Sequence, residues 1–221
     1  GRRIVYFTNN ASKNPAVYYE KLLRLGFSAE REEIVTAGDV TAEYLQTYHK
    51  GAKVYLVGTP FLEASFREKG IFLTDGREAD IVVSSFDTTL TYEKLEKACT
   101  LIRSGAKFYS THPDFNCPTE TGFIPDSGAI CALITASTGV QPRYFGKPHK
   151  ETAEMITRRF GVPSARTAVV GDRLYTDIAL GRNNGLTSIL VLTGETKRED
   201  VNDANAPDFI FENIGEIAAF F

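Results

Sequence analysis

Three stretches of this 221-residue chain end a β-branched or aromatic run on a polar group that can do chemistry. Ile4–Phe7 runs into Thr8, Arg143–Gly146 into Lys147, and Ala168–Gly171 into Asp172. A second acid, Asp177, follows Asp172 by five residues, where a helix can start. If the runs are strands of parallel sheet, each polar group stands at a carboxyl end, where open α/β folds build their sites. A hydroxyl, an ammonium and a carboxylate suit a phosphate monoester together with a hard cation such as Mg²⁺, which takes oxygen ligands. Thr8 and nearby backbone N–H groups can bond phosphate oxygens, Lys147 can offset developing charge, and Asp172 can hold the metal. Asp177 is suited to bond Lys147 or a water on the metal.

Taken singly, each residue has a plainer account. Thr8 opens the turn Thr8-Asn9-Asn10, and turns at strand ends are rich in such residues. A lone lysine is ordinarily a solvated one. Asp177 is favourable against a helix dipole whatever else it does. Asp172 is different, because a carboxylate after a sharp glycine turn has little packing use. The order of all four along the chain is what points to chemistry. His112-Pro113-Asp114-Phe115-Asn116-Cys117 packs polar groups behind another strand-like run. A turn with side chain-to-backbone bonds and a substrate contact both fit it. His49 and His149 have no partner at useful spacing and read as surface residues, and Glu30–Glu33 reads as a solvated loop.

The elements that must position these groups alternate. Strands are expected at Arg3–Phe7, Val54–Val57, Ile81–Ser84, Phe108–Ser110, Thr167–Val170, Ser188–Leu192 and Phe209–Phe211. Helices are expected from Pro15, with Asn14 as N-cap, to Gly26; from Val40 or Thr41 to Tyr48; and over Phe61–Lys69, Tyr92–Arg103 and Gly128–Thr138. Further helices are expected over Lys150–Phe160, Thr176–Asn183 and Ile214–Phe221. Such interleaving means βαβ units and largely parallel sheet, an α/β fold. Hydrophobic content of 43% and charged content of 24% are ordinary globular values. A net charge of −3 gives no case for nucleic-acid binding. No apolar run is long enough to span a bilayer. Cys99, Cys117 and Cys131 are an odd set without metal-type spacing, expected as reduced thiols of a cytoplasmic protein, with Cys99 and Cys131 as small core residues. A dinucleotide-binding oxidoreductase is disfavoured, since no Gly-x-Gly-x-x-Gly follows a first strand.

The set of motifs resembles the haloacid dehalogenase superfamily of phosphatases, and more closely the branch of p-nitrophenyl phosphatases and the N-acetylglucosamine-operon phosphatase. The matching pieces are Phe7-Thr8-Asn9-Asn10, Thr111-His112-Pro113-Asp114, Pro125-Asp126-Ser127-Gly128-Ala129, Gly146-Lys147-Pro148, Gly171 through Asp177, and Leu190 through Thr196. The resemblance implies a Rossmann-like core with an inserted α/β cap: residues 1–50 and 145–221 as core, 51–144 as cap. It implies Mg²⁺-dependent hydrolysis of small phosphorylated metabolites through a phospho-aspartate. Thr8 then matches the phosphate binder, Asn9 and Asn10 the loop closing over the phosphate, and Lys147 the catalytic lysine. Asp172 matches the metal ligand and Asp177 the acid supporting the site. In the cap, His112 and Asp114 stand where the family often has Asn-Pro-Asp and are expected to set substrate specificity. A homodimer stays open as the assembly.

The family's first motif, an Asp-x-Asp that supplies nucleophile and general acid/base, has no match: no Asp-x-Asp occurs in the 221 residues. The expectation is that the nucleophile lies upstream of this fragment. In the family that strand lies between the ones ending at Phe7 and at Val170. Buried unpaired backbone groups cost on the order of 1–3 kcal/mol apiece. The 221 residues alone are therefore expected to be an incomplete folding unit and inactive. A non-catalytic module that binds phosphorylated ligands is the alternative reading.

Overall fold

The computed structural model describes residues 2–220. Gly1 and Phe221, the last residue of the expected terminal helix, lie outside the described residues. The chain divides into two compact units, residues 1–146 and 147–221.

The first unit opens with β1 (Tyr6–Thr8), α1 (Pro15–Arg24), β2 (Ile34–Thr36) and α2 (Ala37–Tyr48). β1 and β2 pair in parallel, Tyr6 with Ile34 through Thr8 with Thr36. The strand expected from Arg3 starts at Tyr6 because β2 offers three partners only, and Ile4 is left exposed. β2 itself was not expected: a three-residue strand has no readable alternation. Asn14 caps α1 as expected, its side chain accepting the Val17 N–H. α2 begins earlier than Val40, since Thr36 and Asp39 form a capping box one turn upstream.

The unit continues with β3 (Lys53–Val57), α3 (Pro60–Glu68), β4 (Phe72–Leu73), β5 (Ile81–Ser84), α4 (Tyr92–Arg103) and β6 (Lys107–Ser110). After these come β7 (Asn116–Thr119), β8 (Gly122–Pro125), α5 (Ser127–Thr138) and β9 (Arg143–Tyr144). A five-stranded sheet runs β4-β3-β5-β6-β9 with every pair parallel. Its strands belong to residues 53–144 alone. β5 is buried on all four residues, as the continuous apolar run Ile81-Val82-Val83 requires of a central parallel strand. α4 and α5 cover one face, where Val57, Val82, Leu101, Phe108, Cys131 and Ile134 form the core together with Cys99. None of Cys99, Cys117 and Cys131 is in a disulfide. The segment Asn116–Pro125, for which no strand was expected, is an exposed antiparallel hairpin of β7 and β8.

The second unit contains α6 (Lys150–Phe160), β10 (Ala168–Gly171), a single π turn at Leu174–Ile178, α7 (Ala179–Asn184), β11 (Thr187–Val191), β12 (Phe209–Phe211) and α8 (Ile214–Ile217). Its sheet, β10-β11-β12, is parallel. The helix expected from Thr176 is instead the π turn, then α7, with the Ile178 N–H reaching back to the Arg173 carbonyl. The terminal helix is α-helical for one turn and then 3₁₀. Among the described residues no helix is long and apolar enough to cross a membrane.

Candidate functional site

In the second unit, three of the residues singled out in the sequence surround the carboxyl end of β10. Gly171 ends the strand and Asp172 follows it. The Asp172 Oδ2 accepts the Glu195 N–H at 2.8 Å, and its backbone carbonyl accepts the Thr196 N–H at 3.2 Å. The loop after β11 therefore wraps this carboxylate, and the Arg173 guanidinium closes the wrap on the Glu195 carboxylate at 2.8 Å. Gly194 makes the approach possible, since a Cβ there would lie 2.0 Å from Asp172 Oδ2. Asp177 is buried at the π turn, its Oδ2 accepting the Arg173 N–H at 3.2 Å. Its other oxygen accepts from the Lys147 ammonium at 2.6 Å, a largely buried ion pair. Gly171 gives it room: a Cβ at that position would meet Asp177 Cγ at 2.2 Å. The π turn widens the helix by one residue in the very place where it carries Asp177, a placement common at functional sites.

Among the described residues no cluster of three or more His, Cys, Asp or Glu side chains forms a ready metal cage. The donors at β10 nevertheless fit a magnesium ion. They are hard carboxylate oxygens, and Mg²⁺ is ordinarily held by one or two carboxylates, with waters and phosphate filling the rest. Asp172 is held at one oxygen by a backbone N–H, which fixes the orientation of the other.

The first unit places the other predicted residues. Thr8 ends β1, and its Oγ1 accepts the Asn10 N–H at 3.1 Å, which leaves the hydroxyl proton to donate. The Asn10 Oδ1 accepts both the Ser12 N–H at 3.0 Å and the Ser12 hydroxyl at 2.7 Å. The Tyr18 hydroxyl donates to the Asn10 carbonyl at 3.1 Å. Burial above all, then Cys117 and Asp126, pushes that phenol well above its ordinary range, so it stays a donor. Thr59, at the carboxyl end of β3, donates to the Ser12 carbonyl at 2.8 Å. β3 and β5 are where the strand order of the five-stranded sheet reverses, the position at which open sheets bind ligands.

Asn9 is buried, and its Nδ2 donates to Asp114 Oδ2 at 2.7 Å. His112 is fully buried. Its Nδ1 lies 2.8 Å from Thr111 Oγ1 and its Nε2 2.8 Å from Asp126 Oδ1, so the ring ties strand-end and helix-start together rather than offering a surface. Asp126 also accepts the Ser127 N–H at 2.6 Å, starting α5. The Asn9–Asp114 bond and the closure of the loop 193–196 on Asp172 carry no signal in local spacing, since their partners are distant in sequence. His49, expected on the surface, is half-buried, with Nε2 2.9 Å from the Tyr109 hydroxyl.

A family model described as haloacid dehalogenase-like hydrolase matches residues 1–72, and one described as HAD-hydrolase-like matches residues 144–217. An acid sugar phosphatase of Staphylococcus aureus is 38% identical over 216 residues, covering 97% of this chain and 83% of that protein. The fold is similar to that of a 4-nitrophenylphosphatase from Thermotoga maritima, at a TM-score of 0.94 and 47% identity, covering 99% of this chain and 84% of that one. It is also similar to a p-nitrophenyl phosphatase from Archaeoglobus fulgidus, at a TM-score of 0.92 and 28% identity, covering 100% and 87%.

Proposed function

The chain belongs to the haloacid dehalogenase-like hydrolases, and from that premise we propose that it acts in Mg²⁺-dependent hydrolysis of small phosphate monoesters through a phospho-aspartate. The observation that carries the reading is the Lys147–Asp177 ion pair beside the loop-wrapped Asp172, all at the end of one parallel strand. Its relatives include proteins named acid sugar phosphatase and 4-nitrophenylphosphatase, which supports small phosphorylated metabolites as the substrate class.

In this reading Thr8 donates its hydroxyl proton to a phosphate oxygen, and the backbone of Asn9 and Asn10 closes over the group. Lys147, held by Asp177, offsets the charge that spreads over the phosphoryl oxygens during transfer. Asp172 would hold the magnesium ion, which when bound polarises a phosphoryl oxygen as a Lewis acid. Residues 51–144 act as the cap over a core of residues 1–50 and 145–221, and the cytoplasm is the proposed compartment. The nucleophilic carboxylate has no match in these 221 residues, which contain no Asp-x-Asp. The alternative reading is a module that holds phosphorylated ligands without turning them over.

Turnover of a phosphomonoester panel separates the two. The 221-residue chain alone should be inactive. The same chain preceded by an Asp-x-Asp strand segment should hydrolyse p-nitrophenyl phosphate and sugar phosphates with Mg²⁺, and lose that activity in EDTA or as Lys147→Ala. No activity in the extended chain overturns the enzyme reading, and full activity in EDTA overturns its dependence on Mg²⁺.

A further inference from the structure

Loop 8–12 meets the five-stranded sheet of its own unit at several points: the Thr59 hydroxyl donates to the Ser12 carbonyl, Asn10 Nδ2 donates to Cys117 Sγ at 3.8 Å, and two buried side chains 105 residues apart bond, Asn9 Nδ2 to Asp114 Oδ2 at 2.7 Å. The two sides of the Asn9–Asp114 bond differ in how firmly they are held. The Asp114 side is packed tight. Its backbone carbonyl accepts the Gly128 N–H at 2.8 Å, and a Cβ on Gly128 would lie 2.4 Å from the Pro113 carbonyl oxygen. Just upstream, His112 is clamped at both ring nitrogens, and the Ser110 hydroxyl donates to the His112 carbonyl at 3.0 Å. The loop 111–115 is thus set by the sheet end on one side and the start of α5 on the other. The loop 8–12 side rests on local turn bonds, Tyr18 and Thr59. Gly146 sits at the junction with φ +71°, where a Cβ would come within 2.8 Å of Asn9 Oδ1 and 2.9 Å of the Thr111 carbonyl oxygen.

We propose that Asp114 is a positioning residue, which fixes the loop Thr8–Ser12 through the Asn9 side chain and so makes the order of that loop depend on loop 111–115. A charge-assisted bond between buried groups is among the stronger single contacts a loop can make. The residue at 114 therefore acts on every phosphate the loop would hold, rather than selecting one leaving group. That the loop holds phosphate rests on the phosphatase reading; the coupling itself does not.

Hydrogen exchange reads the coupling without any ligand. The Asn10 and Ser12 amides, which donate to Thr8 Oγ1 and Asn10 Oδ1, should exchange about tenfold faster in Asp114→Ala and in Asn9→Ala. The double variant should exchange no faster than either single one, since both remove one interaction. Asp114→Asn keeps an acceptor oxygen and should stay near the parent. Should Asp114→Ala fail to fold, Asn9→Ala alone must speed Ser12 while leaving Gly128, bonded to the Asp114 carbonyl, unchanged. Unchanged Ser12 exchange in the alanine variants, or singles that multiply in the double, overturns the proposal. Calorimetry with inorganic phosphate and Mg²⁺ is the second arm. Affinity should fall about tenfold in Asp114→Ala and return in Asp114→Asn; a loss that Asp114→Asn does not restore counts against positioning. A chain preceded by the Asp-x-Asp strand segment that binds no phosphate while its exchange follows the pattern above sinks the phosphatase reading and leaves the coupling standing.

Discussion

A methyl group at Gly194 would stand 2.0 Å from Asp172 Oδ2, so the candidate metal carboxylate and the loop that wraps it fit only without a side chain there. Gly194→Ala should therefore displace Asp172 and weaken Mg²⁺ binding about as much as Asp172→Asn, by tenfold or more in calorimetry, while circular dichroism stays that of the parent. Equal affinity in Gly194→Ala would mean that Asp172 does not hold the ion in this orientation. His112 makes a different demand. Its ring has no exposed surface and joins Asp126 to Thr111, so His112→Ala leaves a buried carboxylate short of a partner. That should cost about 2–3 kcal/mol of stability, seen as a lower urea midpoint. A change in substrate ranking with no loss of stability would instead return His112 to the direct substrate contact that its sequence position suggests.

Among the elements, α2 shows how far a cap can move a boundary. Asp39 Oδ2 accepts both the Thr36 N–H and the Thr36 hydroxyl at 2.8 Å, and Thr36 Oγ1 accepts the Asp39 N–H at 3.2 Å. The other Asp39 oxygen pairs with Lys69 at 3.2 Å, just past the end of α3, so the cap also fastens two helices. Thr36 is in addition the last residue of β2, paired with Thr8. Thr36→Ala should lower stability by about 1 kcal/mol, the usual worth of an N-cap. Thr36→Ser should recover most of it, because serine restores the oxygen. Equal midpoints for the alanine and serine variants would show that the box contributes nothing.

At the scale of the whole molecule, pH acts through histidine. Burial above all, then the cations Lys107 and Arg143, hold the His49 pKa below its ordinary value. Tyr44 packs against the same ring, and the Tyr109 hydroxyl bonds its Nε2. A histidine whose folded pKa is lowered binds fewer protons folded than unfolded. Its contribution is complete above the unfolded value of about 6.5 and is lost as pH falls from there toward the lowered folded value. The urea midpoint should drop between pH 7.5 and 5.5, and His49→Gln should flatten that drop. A parent whose midpoint does not change over this range would contradict the assignment.

Sequence patterning by itself determined the alternation of strands and helices, the strand Ile81–Ser84, the helices Tyr92–Arg103 and Lys150–Phe160, and the core places of Cys99 and Cys131. These are long or strongly apolar segments whose period is local, and periodicity is a local property. Placing Thr8 and Asp172 at strand ends was legible for the same reason, since an apolar run and the polar residue that closes it are neighbours in the chain; the run expected to carry Lys147 is a strand only over Arg143–Tyr144, and Lys147 lies in a turn beyond it. What tertiary structure decided are contacts between segments far apart: Asn9 with Asp114, His112 with Asp126, and the loop 193–196 around Asp172. It also decided β2, too short to show a period, and the π turn, where the Ile178 N–H goes back to Arg173 as Asp177 turns inward to meet Lys147. A hydrogen bond between residues 105 apart depends on how the intervening elements pack, and no residue type or spacing near either partner specifies it.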